Sequence, residues 1–157
     1  MKNEASPAQI RVRADRVLLA ANLVMIAMVV IHDVDHVRQA ARWCYTIGPL
    51  LWLVNIAVYV PSLVALAMLW RHWRSAATAT CFNGLFVGAA FSEVHLWRPS
   101  IPVWGIWNRN FFLLGADWIS WTVLATTVLV GALVAMAGAY AAGLYWVARR
   151  MDSVDGS

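Results

Sequence analysis

Charge is what this 157-residue chain has little of: 13% of its residues are Asp, Glu, Lys or Arg, against roughly 25% in soluble domains, whereas 62% are hydrophobic. This excludes an ordinary apolar core wrapped in a polar surface and makes lipid the solvent for most of the chain. Cysteine is scarce as well. Cys44 and Cys81 fall at different depths of the apolar pattern, which argues against a disulfide. They also leave no thiolate pair for an iron–sulfur cluster or soft Cu(I), and each reads as a small apolar side chain. Missing too are the G-x-S-x-G elbow, the P-loop, the H-E-x-x-H zinc helix and the dinucleotide fingerprint. Internal repeats and low-complexity tracts are absent. No continuous polar path runs through all the apolar segments, so a channel or pump ranks behind other readings. The net charge of +4 comes from twelve basic residues. They sit at the ends of apolar runs rather than along one face, which marks topology rather than nucleic-acid binding.

What is present is length of apolar run. Four segments meet the requirement of about 20 apolar residues for a membrane crossing, at about 17–38, 47–70, 76–97 and 115–148. The expected fold is all-α: one membrane domain over residues 1–157, a four-transmembrane-helix bundle, with 1–14 and 151–157 as flexible tails. The first segment follows Arg11, Arg13 and Arg16 like a signal peptide but lacks a small-residue cleavage pattern, and reads as a retained anchor. Lys2, Arg11, Arg13, Arg16, Arg71, Arg74, Arg149 and Arg150 make eight basic residues on one side, against four on the other: Arg38, Arg42, Arg98 and Arg109. Both termini are therefore expected in the cytoplasm and the chain in the plasma (inner) membrane.

Within the spans, Pro61 predicts a kink in the second helix. Asn55, Tyr59 and Ser62 give that helix a polar side that must turn inward. Gly84, Gly88 and Ser92 form a small-residue stripe for close helix approach, and Gly131, Ala135, Gly138, Ala142 and Gly143 offer another on the fourth helix. The longest connection, Trp97 to Ala116, is rich in Trp and Pro. It reads either as part of an aromatic belt at the membrane boundary or as a loop lying over the outer mouth of a site. Trp43, Trp97, Trp104, Trp107, Trp118 and Trp121 fall near that outer boundary, and Trp70, Trp73 and Trp146 near the inner one. His72, between Arg71 and Trp73, reads as an interfacial anchor.

The chemistry-bearing stretch is Ile31-His32-Asp33-Val34-Asp35-His36. A four-residue spacing puts both imidazoles on one helical face, the way a helix presents two ligands to a divalent metal. Asn22, Met25, Val29, His32, Asp33 and His36 share about a third of the helix circumference. The topology brings His95, Glu93 and Asp117 to the same extracytoplasmic end. His95 lies seven residues beyond Gly88 and returns to the packing stripe; Glu93 points away. The expected metal ligands are His32, His36 and His95 with Asp35 or Asp117, and Asp33 and Glu93 stand behind them to orient the imidazoles. Imidazole and carboxylate suit Zn, Fe, Mn or Cu(II).

A plainer reading keeps equal standing: Asp33 and Asp35 pair with Arg38, Arg42, Arg98 or Arg109, and the imidazoles are solvated at the interface. Haem b held by His36 and His95 is a further possibility. The corresponding functions are metal-dependent oxidoreductase chemistry on a lipid-soluble substrate, or a non-catalytic accessory subunit packing by its small-residue faces. The expected partners are the lipid bilayer and either a membrane complex or a second copy of the chain, with no nucleic acid.

Overall fold

A computed structural model describes residues 5–97 and 102–155. Lys2, Arg98 and the side chain of Trp104 lie outside this description, as do the last two residues of the C-terminal tail. The described residues form helices α1 (Pro7–Arg42), α2 (Pro49–Ala57), α3 (Val60–Trp70), α4 (Ser75–Leu96), a short 3-10 segment (Pro102–Asn108), α5 (Phe111–Leu114) and α6 (Trp118–Asp155).

The helices outrun the apolar runs. α1 starts at Pro7, because Ser6 and Gln9 form a reciprocal cap and Pro7 occupies the first turn. Residues 7–14 and 151–155, expected as tails, are thus helical, and Arg11 pairs with Asp152 at 2.7 Å. Apolar length sets what crosses a membrane; capping sets where a helix begins. At 1.5 Å per residue the 36 residues of α1 extend about 54 Å, well beyond a hydrocarbon core of about 30 Å. The second apolar run breaks at Val58–Tyr59, placing Pro61 in the first turn of α3 rather than at a mid-helix kink. At the other boundary, Gly115 in the left-handed region ends α5, so α6 begins at Trp118 and not near residue 115.

Contacts fix the topology. α1 and α6 are antiparallel: the Tyr145 hydroxyl donates to Asp15 at one end and Arg38 binds Asp117 at the other. α4 is antiparallel to α6, with Gly84 against Gly131 and Ala135, and Gly138 against Ala77 and Cys81. α3 lies against α1 and α4, where Asn83 donates to Ser62 at 2.8 Å and the Tyr59 hydroxyl to Asp33 at 2.6 Å. Cys44 and Cys81 are both free thiols.

Polarity is inverted relative to a soluble bundle. Asn22, Thr80, Asn83, Ser62 and Thr127 are buried, while Leu19, Leu23, Ile31, Leu53, Leu63, Phe82, Phe86 and Leu133 are exposed. Turning polar groups inward and large apolar groups outward is what a hydrocarbon solvent selects. Three helical stretches, Pro7–Arg42, Pro49–Trp70 and Trp118–Ser153, are long and apolar enough to cross a membrane.

Candidate metal centre

The site is built at the Arg38–Asp117 end of the bundle. α1 supplies His32 and His36 from successive turns of one face, and α4 supplies His95 from its last turn. These residues offer one nitrogen each, all lying within 4.8 Å of one another. Of these, His32 Nε2 and His95 Nε2 lie 3.3 Å apart. Two nitrogens bound to one tetrahedral zinc at 2.0–2.1 Å would be about 3.3–3.4 Å apart.

The partners of the remaining nitrogens bear on what this contact is. His95 Nδ1 lies 2.8 Å from the Phe91 carbonyl, which only accepts, so Nδ1 carries the hydrogen and Nε2 the lone pair. His32 Nδ1 lies 3.3 Å from Thr127 Oγ1, whose own hydroxyl is within reach of the Val123 carbonyl. With that hydroxyl donating to Val123, its oxygen accepts from His32 Nδ1 and His32 Nε2 carries a lone pair; with the hydroxyl turned to His32, Nε2 carries the hydrogen and donates to His95. In the first arrangement two lone pairs face each other across a buried gap, which a cation between them reconciles. His36 adds a third imidazole, and its buried Nδ1 has no hydrogen-bond partner among the described residues.

Aromatic rings wall the cluster. Phe91 meets His32 edge-on at 4.4 Å, Phe111 meets His95 at 4.9 Å, and Trp107 meets His36 at 5.2 Å between ring centres. Trp107, in the long connection, is 3% exposed, and its indole N–H donates to Gln39 at 3.0 Å. Gly105, at φ +50°, lets the same connection close on Tyr45; an added Cβ would lie 2.8 Å from Cζ of the Tyr45 ring. Around Trp107 this connection is a cover. Trp97 and Trp118 are exposed, consistent with the belt.

The carboxylates expected as ligands are engaged elsewhere. Asp35 binds Arg38 at 2.7 Å and Gln39 at 2.7 Å; Asp117 takes two hydrogen bonds from Arg38, at 2.7 and 2.8 Å, and one from Arg42 at 2.6 Å. Asp117 also caps α6 by accepting from the Ser120 N–H at 3.1 Å. The Arg38 guanidinium, then the Ser120 N–H, and Arg42 beyond them hold its carboxyl well below the usual carboxylate range. Asp33 accepts from Tyr59 instead of orienting an imidazole, and Glu93 is exposed. The carboxylate–arginine half of the plainer reading thus holds for Asp35 with Arg38 and not for Asp33, and Asp117 joins the same arginine network; the imidazoles face inward, His32 and His95 buried and His36 partly so.

Thr127, the Phe91 carbonyl and Gln39 were not singled out from the sequence. Thr127 sits in an unbroken apolar run, and only the packing of α6 on α1 identifies it. Gln39 had a signal, lying one turn past His36. No protein family, curated protein or solved structure matches the chain, so its function rests on this geometry.

Proposed function

We propose that the chain is an integral membrane protein holding one divalent transition metal between His32, His36 and His95. The observation that carries this is the convergence of one nitrogen each from His32, His36 and His95 within 4.8 Å, with His32 Nε2 and His95 Nε2 3.3 Å apart. A shared proton would reconcile that pair but leave His36 without a role, whereas a metal uses all three rings. Three neutral imidazole donors suit Zn, Fe or Cu(II), and with the carboxylates engaged elsewhere the case for Mn falls away. Bound there with a coordination position left open, such an ion would act as a Lewis acid or redox centre toward a lipid-soluble substrate.

The membrane arrangement we infer has four crossings: α1, the α2–α3 pair, α4 and α6. α4 is less apolar than the others, but Thr80, Asn83 and His95 are buried against its neighbours while Phe82, Leu85 and Phe86 face out. The basic residues at the Arg11–Asp152 end support cytoplasmic termini in the plasma membrane, with the metal centre toward the opposite face.

Two competing readings are weaker. A bis-imidazole haem needs its ligands on opposite sides of a macrocycle; here the rings contact each other, and Phe91, Phe111 and Trp107 fill the flanks. An accessory role rested on the Gly/Ala face of α6, yet Gly131 and Gly138 are consumed inside the bundle against α4.

The test is metal analysis of the detergent-purified protein after zinc loading and desalting. One metal per chain is expected in the wild type, with loss in His36→Ala and His95→Ala. Equal content in all three would end the assignment.

A further inference from the structure

Beside the histidine cluster, α2 stands off from the rest of the bundle. The break at Val58–Tyr59 lets α3 pack on α1 and α4, while α2 is held mainly through Leu51, which clusters with Trp107 of the 3-10 segment and Ala40 of α1. The gap under α2 is a cavity of about 200 Å³ between α1, α2 and α4, with His32, His36 and His95 on its floor. An apolar cavity of about 150 Å³ is enough to admit benzene, so this one takes a single substituted ring.

Its wall is apolar except at defined points, one of which is Arg109, a residue that is also exposed to the outside. Asp33 and Tyr59 satisfy each other. Asn55 lines the cavity with a buried Nδ2 that has no partner among the described residues, and so does His36 with its Nδ1. A buried amide without a partner costs about 1–3 kcal/mol relative to a satisfied one, and in a well-packed protein such a group calls for a reason. Asn55 is an N–H donor facing an apolar space, which is what an uncharged ligand with an acceptor oxygen requires. Phe86 and Val94 continue the cavity wall onto α4, and Phe86 is 57% exposed on the outer surface, where lipid would lie.

Resting on the metal-centre reading for its setting but not for its contacts, we propose that this cavity binds a lipid-soluble molecule. Its ring-sized head carries a carbonyl oxygen, accepts a hydrogen bond from Asn55 Nδ2, and enters from the bilayer between α2 and α4. The head then lies against the open side of the histidine cluster, and an apolar tail leaves past Phe86.

The probes are decyl-1,4-benzoquinone, followed by saturable quenching of tryptophan emission, and decylbenzene as its competitor lacking oxygen. Both are measured on the full chain in detergent, once with chelator and once with zinc. Saturable quinone binding is expected in both conditions. Asn55→Leu should weaken it about three- to tenfold, the worth of one hydrogen bond, and leave competition by decylbenzene unchanged. Ala90→Trp, which fills the cavity, should abolish binding of both. Quinone affinity indifferent to Asn55, binding that survives Ala90→Trp, or no saturable binding to the wild type would each overturn the proposal. Should Ala90→Trp fail to fold, the near-isosteric Asn55→Leu still decides. Quinone binding by a chain that takes up no zinc would sink the metal reading and leave this one standing; zinc uptake without quinone binding would do the reverse.

Discussion

Adding one methyl group at each of four helical glycines tests the register of α4 on α6. A Cβ at Gly84 would lie 2.5 Å from the Gly131 carbonyl oxygen and 2.9 Å from Ala135 Cα, where ordinary contact begins at 3.4 Å. The obstacles are backbone, so the helices must part by about 1 Å, enough to forfeit a quarter to a half of each affected dispersion contact. Overpacking of this kind costs about 1–3 kcal/mol, and the helix propensity of Ala returns at most about 1 kcal/mol. Gly138 is in the same position, its Cβ 2.8 Å from both the Ala77 carbonyl and Cys81 Cα. At Gly143 an added Cβ meets nothing within 4 Å, so only the propensity gain of about 0.5–1 kcal/mol applies. Gly88 is intermediate, with 3.6 Å to the Val128 carbonyl. The expected order of stability is Gly143→Ala at or above Gly88→Ala, then wild type, then Gly84→Ala and Gly138→Ala. About 1–3 kcal/mol separates the extremes, a change of about 5- to 150-fold in the folding equilibrium. Unfolding by SDS titration in mixed micelles, followed by circular dichroism, reads it directly. If Gly84→Ala and Gly138→Ala prove as stable as Gly143→Ala, the helices do not meet at this face.

The arginine network makes a pH prediction: Asp117 is ionised far below its unfolded range, so its contribution to stability is complete above about pH 4 and is lost as pH falls from there toward the folded value. Thermal unfolding should show the wild type weakening on descent from pH 5 to 3, and Asp117→Asn less stable at pH 7 but flatter over that interval; parallel curves would refute the pairing. Thr127→Val removes the hydroxyl partner of His32 Nδ1, and should weaken zinc binding about 10–100-fold, measured by chelator competition. Trp107→Ala uncovers His36 and should speed release of bound zinc to a chelator while leaving the α-helical signal unchanged.

The class of molecule was legible because hydrocarbon solvent writes itself into composition: long apolar runs, polar residues confined to single helical faces, and basic residues at their ends. The imidazole cluster was legible for a related reason. His32 and His36 share a face by spacing alone, and the spacing of His95 from Gly88 put it on the side of α4 that packs inward. What the sequence obscured is pairing between distant residues. The pairing of Asp35 with Arg38, three residues on, was open to a sequence reading, but nothing local reveals that Arg38 also binds Asp117; that reach depends on α1 and α6 being antiparallel and in that register. Helix ends were displaced by caps: Ser6 with Gln9 at one end, and Gly115 with Asp117 before α6. The break before Pro61 could be anticipated, but not that α2 would swing away and leave a cavity over the histidines.

X-ray absorption at the zinc edge of the loaded, detergent-solubilised protein tests the central claim most directly. Three imidazole-type nitrogens at about 2.0–2.1 Å, with no sulfur near 2.3 Å, are expected, and His32→Ala should lose one imidazole from the shell or lose the metal. A shell of oxygen alone, a sulfur neighbour from Cys44 or Cys81, or a spectrum unchanged by His32→Ala would contradict the account.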